Sequence, residues 1–351
     1  VTCAGAPKPP RQSGPLDARP QTDAGMTEET LVAAIREITA SPANVKLRLG
    51  IGDDAAVWQP SRSHLSVITT DALIEDVHFT RTAMSAADVG HRSLAANLSD
   101  IAAMGARPVL ATIAFGVSPA IDEGWMRDFY RGLAALAART GTAIAGGDIV
   151  RAPVVSIAIT VVGEVRNSSL KTRTGALPGD VIAVTGPLGA SRAGCEILLD
   201  HPDLTRDAEF AELLHAYRHP EPRLREGRFL GASRNVHAMM DTSDGIASDL
   251  ARLCVASNVG ATLDALPIAV AVETYCRRST TDHQRFALEA GEDFELLAAI
   301  DRRAFPYLAG RFRAHTGREL IGIGECTSSP GLRLRAGNPI VAHGYDHLSA
   351  R

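Results

Sequence analysis

Apolar residues recur along this chain in two registers, helical and alternating, and the switches between them outline its elements. Leu31, Ile35 and Ile38 fall at helical spacing after Thr27-Glu28-Glu29-Thr30, where Thr27 is a candidate cap and acids fill the first turn. Residues 65–69 read as a strand that delivers Thr70 and Asp71 at its end. Residues 88–104 predict a helix with Val89, Leu94, Ala95, Leu98, Ile101 and Ala102 as its apolar stripe. A strand over 109–117 and a long amphipathic helix over 123–139 come next. A third strand, 142–145, runs into Gly146-Gly147-Asp148. A fourth, 154–162, alternates and turns through Gly163.

The second half repeats this style. Pro178-Gly179-Asp180 turns into a strand over 181–185, and Gly186-Pro187-Leu188-Gly189 opens a helix that runs through 199. A short strand over 236–240 ends at Asp241. A helix over 246–257 presents Ile246, Leu250, Leu253 and Cys254 on one face, and 294–300 is strand-like. Strands and helices interleave as in α/β proteins, but several connections are long, so the pattern suits an α+β fold equally well. Asn167-Ser168-Ser169 is the natural boundary between two domains, 26–166 and 167–351. Residues 1–25, rich in Pro, Gly and Ala without an apolar core, read as a disordered tail and not as a signal peptide.

Composition narrows the function classes. The 351 residues are 45% hydrophobic and 22% charged, with a net charge of −4, which offers no electrostatic footing for nucleic acid or an anionic membrane. No run reaches the ~18 apolar residues of a membrane span. Cys3, Cys195, Cys254, Cys276 and Cys326 are dispersed, odd in number and form no CxxC, which fits a reducing cytoplasm. Lysines are confined to Lys8, Lys46 and Lys171.

Against that background the acids stand out. Gly50-Ile51-Gly52-Asp53-Asp54, Thr69-Thr70-Asp71, Asn97-Leu98-Ser99-Asp100, Gly146-Gly147-Asp148 and Asp241-Thr242-Ser243-Asp244-Gly245 are five acidic turns, four of them following an apolar run. Any one could be an ordinary Asp/Gly turn. Gathered together, two carboxylates ~4 Å apart repel by about 4 kcal/mol at an effective dielectric of ~20. Five such places therefore point to hard cations held by oxygen, with Mg²⁺ the natural choice. With no GxxxxGK[ST], no DFG and so few lysines, metals would do much of the work of neutralising phosphate. Gly50 to Ala55 matches GxGxxA but precedes no helix and places two bare carboxylates where a pyrophosphate would sit. Gly147 permits close backbone approach to a phosphate. Ser243 and Gly245 either open an anion site at a helix N-terminus or simply cap it. His78, Arg173 and Glu292 are further candidates, each with an ordinary structural reading: a satisfied histidine, a solvated basic loop and a turn before a strand.

Taken in order, Gly50-Ile51-Gly52-Asp53-Asp54, Thr70-Asp71 with His78-Phe79, Asn97 to Ala106, Gly146-Gly147-Asp148, Arg173-Thr174-Gly175-Ala176, Asp241 to Gly245 and Gly291-Glu292-Asp293-Phe294-Glu295-Leu296 resemble the thiamine-monophosphate kinase family of the aminoimidazole-ribonucleotide-synthetase-like superfamily. The resemblance spans roughly residues 27–347. It implies a two-domain α+β fold and a homodimer joined through the first domain. It also implies ATP-dependent phosphorylation of thiamine monophosphate to thiamine diphosphate with several Mg²⁺ ions, and potassium as a candidate further cation. Carried over by motif, metal ligands would be Asp54, Thr69, Thr70, Asp71, Asp100, Asp148, Asp241 and Asp244. ATP contacts would be Gly147, Asp148, Arg173 and Ser243, and substrate contacts His78 and Glu292. Where the family has an aromatic substrate contact before Gly344-Tyr345-Asp346-His347, this chain carries Ala342 and His343. A selenophosphate-synthetase-like enzyme would want a reactive Cys in a Gly-rich N-terminal loop, and a hydrogenase-maturation-like one a C-terminal Cys. A non-catalytic nucleotide-binding module would be expected to have lost several of the acids.

Overall fold

The computed structural model describes residues 27–40 and 46–341. The predicted tail and the segment 342–347 lie outside the described residues. The first half runs α1 (Glu28–Ile38), β1 (Leu47–Leu49), β2 (Val57–Trp58), β3 (His64–Ile74), α2 (Ala86–Ala103), β4 (Arg107–Val117), α3 (Glu123–Thr140), β5 (Ala143–Arg151) and β6 (Ser156–Arg166). The second half adds β7 (Val181–Val184), α4 (Ala190–Asp200), α5 (Ala211–Arg218), α6 (Leu224–Gly231), β8 (Val236–Asp241), α7 (Ile246–Ser257) and β9 (Gly260–Leu263). It closes with α8 (Val270–Arg278), α9 (His283–Glu289), β10 (Leu296–Ile300), α10 (Phe305–Thr316), β11 (Ile321–Thr327) and β12 (Leu332–Leu334).

Two larger sheets organise the chain. The first has order β3-β6-β4-β5, antiparallel except for the parallel β4–β5 pair. Its strand registers define two faces, because side chains alternate along each strand. One face carries the rows Thr69-Val161-Ala111-Ile144, Asp71-Ile159-Ile113-Gly147 and Leu73-Ile157-Phe115-Ile149. Helices α2 and α3 cover it with Val89, Leu94, Leu98, Ile101, Phe129 and Leu133. The helices pack very closely: a Cβ at Gly90 would lie 2.0 Å from the Phe129 carbonyl, and one at Gly132 would lie 2.0 Å from that of Ala87. The opposite face carries Ile68-Val162-Leu110-Ala143, Thr70-Thr160-Thr112-Gly146 and Ala72-Ala158-Ala114-Asp148. Among the described residues the β1–β2 ribbon packs on it, through Leu47 and Trp58 at one end.

The second sheet has order β12-β9-β11-β7-β10-β8. Helices cover both its faces: α7 contributes Ile246, Leu250 and Leu253 to one, and α10 and α6 contribute Leu308, Phe312 and Leu230 to the other. Every residue of β10 is consequently buried.

Two expectations change. The strand carrying Thr69-Thr70-Asp71 does not end there but continues to Ile74, and Gly146-Gly147-Asp148 lies within β5, not after it. Cross-strand pairing with β6 and β4 holds these polar residues in the sheet, which local composition does not reveal. The strand read over 109–117 is β4, an interior strand between β6 and β5.

Candidate active site

The acids of the helix-covered face converge where the two halves meet. Asn97, Ser99 and Asp100 on α2 tie the strands together. Asn97 Oδ1 accepts from the Asp71 backbone N–H at 3.2 Å, Ser99 Oγ donates to Asp241 Oδ2 at 2.6 Å, and Thr69 Oγ1 donates to Asp100 Oδ2. Burial and the charge of Asp100 push the Asp71 carboxyl up to about 6. Burial raises Asp100 and Asp241 as well, and the neighbouring acids raise Asp241 further. Such mutually repelling, oxygen-only donors suit a hard divalent ion. Among the described residues no three acidic or His/Cys side chains form a ready cage.

Asp100 and Asp241 line two cavities at once. The larger, about 1060 Å³, also contains Asp71, His78, Ser243, Asp244, Arg92 and Glu292. The smaller, about 270 Å³, is lined by Thr69, Arg173, Met104 and Met239 among others. His78 Nδ1 accepts from the Ile74 backbone N–H at 3.0 Å, which fixes its ring at the rim of the larger cavity.

Asp241 to Gly245 leads from β8 into α7, but neither Ser243 nor Asp244 caps that helix. The cap position is Gly245, with φ 105°, and no side chain caps it. Asp249, in the first turn, instead accepts from the Asp244 backbone N–H at 3.1 Å. Arg252 reaches both Asp244 and Asp249. Gly291 to Phe294 folds directly over this turn: Glu292 N donates to Ser243 O at 2.8 Å and Phe294 N to Thr242 O at 3.0 Å. Asp293 accepts from Gly189 N at 2.7 Å and Ser191 N at 3.1 Å, anchoring the start of α4, while burial raises its carboxyl to about 7. Glu292 projects into the larger cavity.

The remaining predicted residues lie elsewhere. Thr70 and Asp148 sit on the opposite face of the first sheet, and Thr70 Oγ1 donates to the Ile159 carbonyl at 3.1 Å. Asp54 follows β1 on the ribbon that covers that same face, its backbone N–H donating to Asp53 Oδ1 at 2.8 Å. Gly147 has a packing reason of its own, since a Cβ would lie 2.0 Å from the Ile113 carbonyl. A single chain thus joins Thr69, Asp71, His78, Asp100, Arg173, Asp241, Ser243, Asp244 and Glu292 around one place, and leaves Asp54, Thr70 and Asp148 across the sheet from it.

Arg92, Arg192, Cys195, Tyr217 and Arg252 also line the larger cavity and were not singled out from sequence. For Arg92 there was a signal: Arg92, Ala96 and Asp100 recur every four residues, so one helix face carries an arginine toward the same cavity as the acid.

Residues 52–165 match the N-terminal domain model of AIR synthase related proteins, and residues 178–336 match the C-terminal one. Thiamine-monophosphate kinase of Escherichia coli K12 is 35% identical over 318 residues, covering 88% of this chain and 94% of the relative. The crystal structure of thiamine-monophosphate kinase from Stenotrophomonas maltophilia superposes with a TM-score of 0.77 at 34% identity, covering 90% of this chain and 98% of that one. AaThiL complexed with AMPPCP and TMP superposes with a TM-score of 0.74 at 26% identity, covering 92% and 97%. With its two AIR synthase related domains and these relatives, the chain belongs to the thiamine-monophosphate kinase family.

Proposed function

We propose that this protein transfers the γ-phosphoryl group of ATP to the phosphate of thiamine monophosphate, giving thiamine diphosphate and ADP. The observation that carries the reading is the shared wall of the two cavities, where Asp100 and Asp241 face both. The smaller cavity, with Arg173 beside Met104 and Met239, suits a nucleotide. The larger, with His78 and Glu292, suits the acceptor. Their common acids mark the place of transfer.

The γ-phosphorus–oxygen bond to ADP breaks as a phosphate oxygen of the acceptor forms the new one. That oxygen belongs to a group whose second pKa is about 6, so it is mostly ionised at neutral pH and a protein base has little to remove. The residues therefore bind and align. Arg173 and Ser243 hold nucleotide phosphates, His78 and Glu292 hold the acceptor, and no phosphoenzyme forms. Mg²⁺ bound by Asp71, Asp100, Asp241 and Asp244, with Thr69 beside them, would screen the repulsion between the two phosphates. Potassium is a candidate second cation.

Asp54, Thr70 and Asp148, with the backbone of the adjoining Gly147, fit this scheme through a homodimer formed by residues 26–166. The open sheet face exposes Ile68 at 69% and Val150 at 53%, apolar surface of the kind that a second copy covers. Among the described residues no helix is long and apolar enough to cross a membrane.

The test is to incubate the protein with ATP, Mg²⁺ and thiamine monophosphate. Formation of thiamine diphosphate with stoichiometric ADP is expected. ADP release without it, or a ³²P-labelled enzyme formed from ATP alone, would overturn the scheme.

A further inference from the structure

We infer that Arg92 is a positioning residue for the acceptor, acting through Glu292; this rests on the phosphotransfer reading above. Arg92 is among the largest fully buried side chains of the molecule, with its side chain 2% exposed, yet it borders the acceptor cavity. Its guanidinium carbon lies 4.3 Å from the centroid of the Tyr217 ring, and Nη1 donates to the Tyr217 carbonyl. Nη2 is buried and lies 2.5 Å from Glu292 Oε2, an ion pair that joins α2 to the Gly291–Phe294 turn. Keeping a charged group this deep is costly, and the half-exposed partner it is paired with faces the acceptor cavity.

Glu292 bears the matching signs. Its side chain is 44% exposed toward the cavity, and its φ of 63° is left-handed, a conformation that costs a non-glycine residue about 1–2 kcal/mol. Three constraints hold it there. Its own N–H bonds Ser243 O, the next residue Asp293 anchors α4, and Arg92 grips one carboxylate oxygen from below. The grip leaves Oε1 to accept from an N–H of the acceptor's aminopyrimidine. A purely structural arginine would pin α2 to α5 through the Tyr217 carbonyl and need no strained, half-exposed glutamate as counter-ion.

The inference separates from a packing role by which Michaelis constant moves. In Arg92→Gln the KM for thiamine monophosphate is expected to rise about tenfold or more, with the KM for ATP within about twofold and kcat within about threefold. Arg92→Lys keeps the charge but loses the planar fork and the stack on Tyr217, so a smaller rise of the same kind is expected. In a Glu292→Gln background, Arg92→Gln should add less than about twofold to the acceptor KM, because its effect passes through the lost carboxylate. Calorimetric titration of thiamine monophosphate into each variant repeats the comparison without turnover. If Arg92→Gln does not fold, Arg92→Lys makes the same separation, its smaller rise confined to the KM for thiamine monophosphate.

Equal rises in both Michaelis constants, unchanged acceptor affinity, or full additivity in the double variant would overturn the inference. Wild-type protein that binds thiamine monophosphate but makes no thiamine diphosphate would instead overturn the proposed function, and the titrations would still judge Arg92.

Discussion

The two sheets solve the burial problem differently. The second is sandwiched: helices cover both faces, and all five residues of β10 are buried. Among the described residues, helices cover the first on one side, and its other side, apart from the β1–β2 ribbon at one end, exposes Ile68 and Val150 beside Thr70 and Asp148. A sheet built only for stability would bury both faces, as the second does. The first carries polar rows on both, with Asp71 on one face and Asp148 on the other, which is why the proposed homodimer is placed on its open face.

The largest expected effects lie on the first sheet. Asp71→Asn should lower turnover by about 100- to 1000-fold, the scale of removing one electrostatic contact to transferring phosphate, while circular dichroism shows an intact fold. The fold should survive because the amide removes repulsion between Asp71 and Asp100. Asp148→Asn, on the opposite face, should lose most turnover too, yet calorimetry should find acceptor affinity within about twofold of wild type, as no acceptor contact is disturbed. Full activity in either variant at ordinary Mg²⁺ would remove that residue from the metal-binding set.

Stability should separate the sheets next. Leu297→Ala, inside the sandwich, should cost about 2–5 kcal/mol in denaturant unfolding. Ile68→Glu, on the open face, should barely change unfolding of the isolated protomer, but should shift light scattering at micromolar concentration from dimer to monomer. A wild-type protein that is monomeric and fully active would end the account of the open face.

The smallest effect concerns the ribbon over that face. Burial alone would raise Glu164, but Lys46 Nζ at 2.5 Å and Ser61, through Oγ at 2.6 Å and N at 2.7 Å, outweigh it and take the carboxyl from 4.5 down to about 2. The folded pKa is the lower one, so its stabilisation is present above 4.5 and lost as pH falls toward 2. Glu164→Gln should flatten this part of the acid-unfolding curve and loosen the turn bearing Asp53 and Asp54. An unchanged curve between those pH values would show that Glu164 does not anchor the ribbon.

Local chemistry alone determined much of this protein. Helical spacing located α1, α2, α3 and α7, because an amphipathic stripe and a cap such as Thr27 are properties of neighbouring residues. The acid motifs, in order, identified the family. The brief ribbon β1–β2 and the strands β9 and β12 were not legible, since strands this short gain their stability from partners far along the chain, and β11, seven residues long, is interrupted by Gly322 and Gly324. Nor could the sequence assign faces. Thr69, Thr70 and Asp71 are consecutive, yet only pairing with β6 decided that Thr69 and Asp71 join the cleft while Thr70 points away. Asp148 fell on the far side by the same alternation, set by its register against Ala114. The grip of Arg92 on Glu292, two hundred residues apart, likewise arose only when the Gly291–Phe294 turn closed over Asp241–Gly245 and met α2. Residue type sets what a side chain can bind. Strand register and long-range packing set what it can reach.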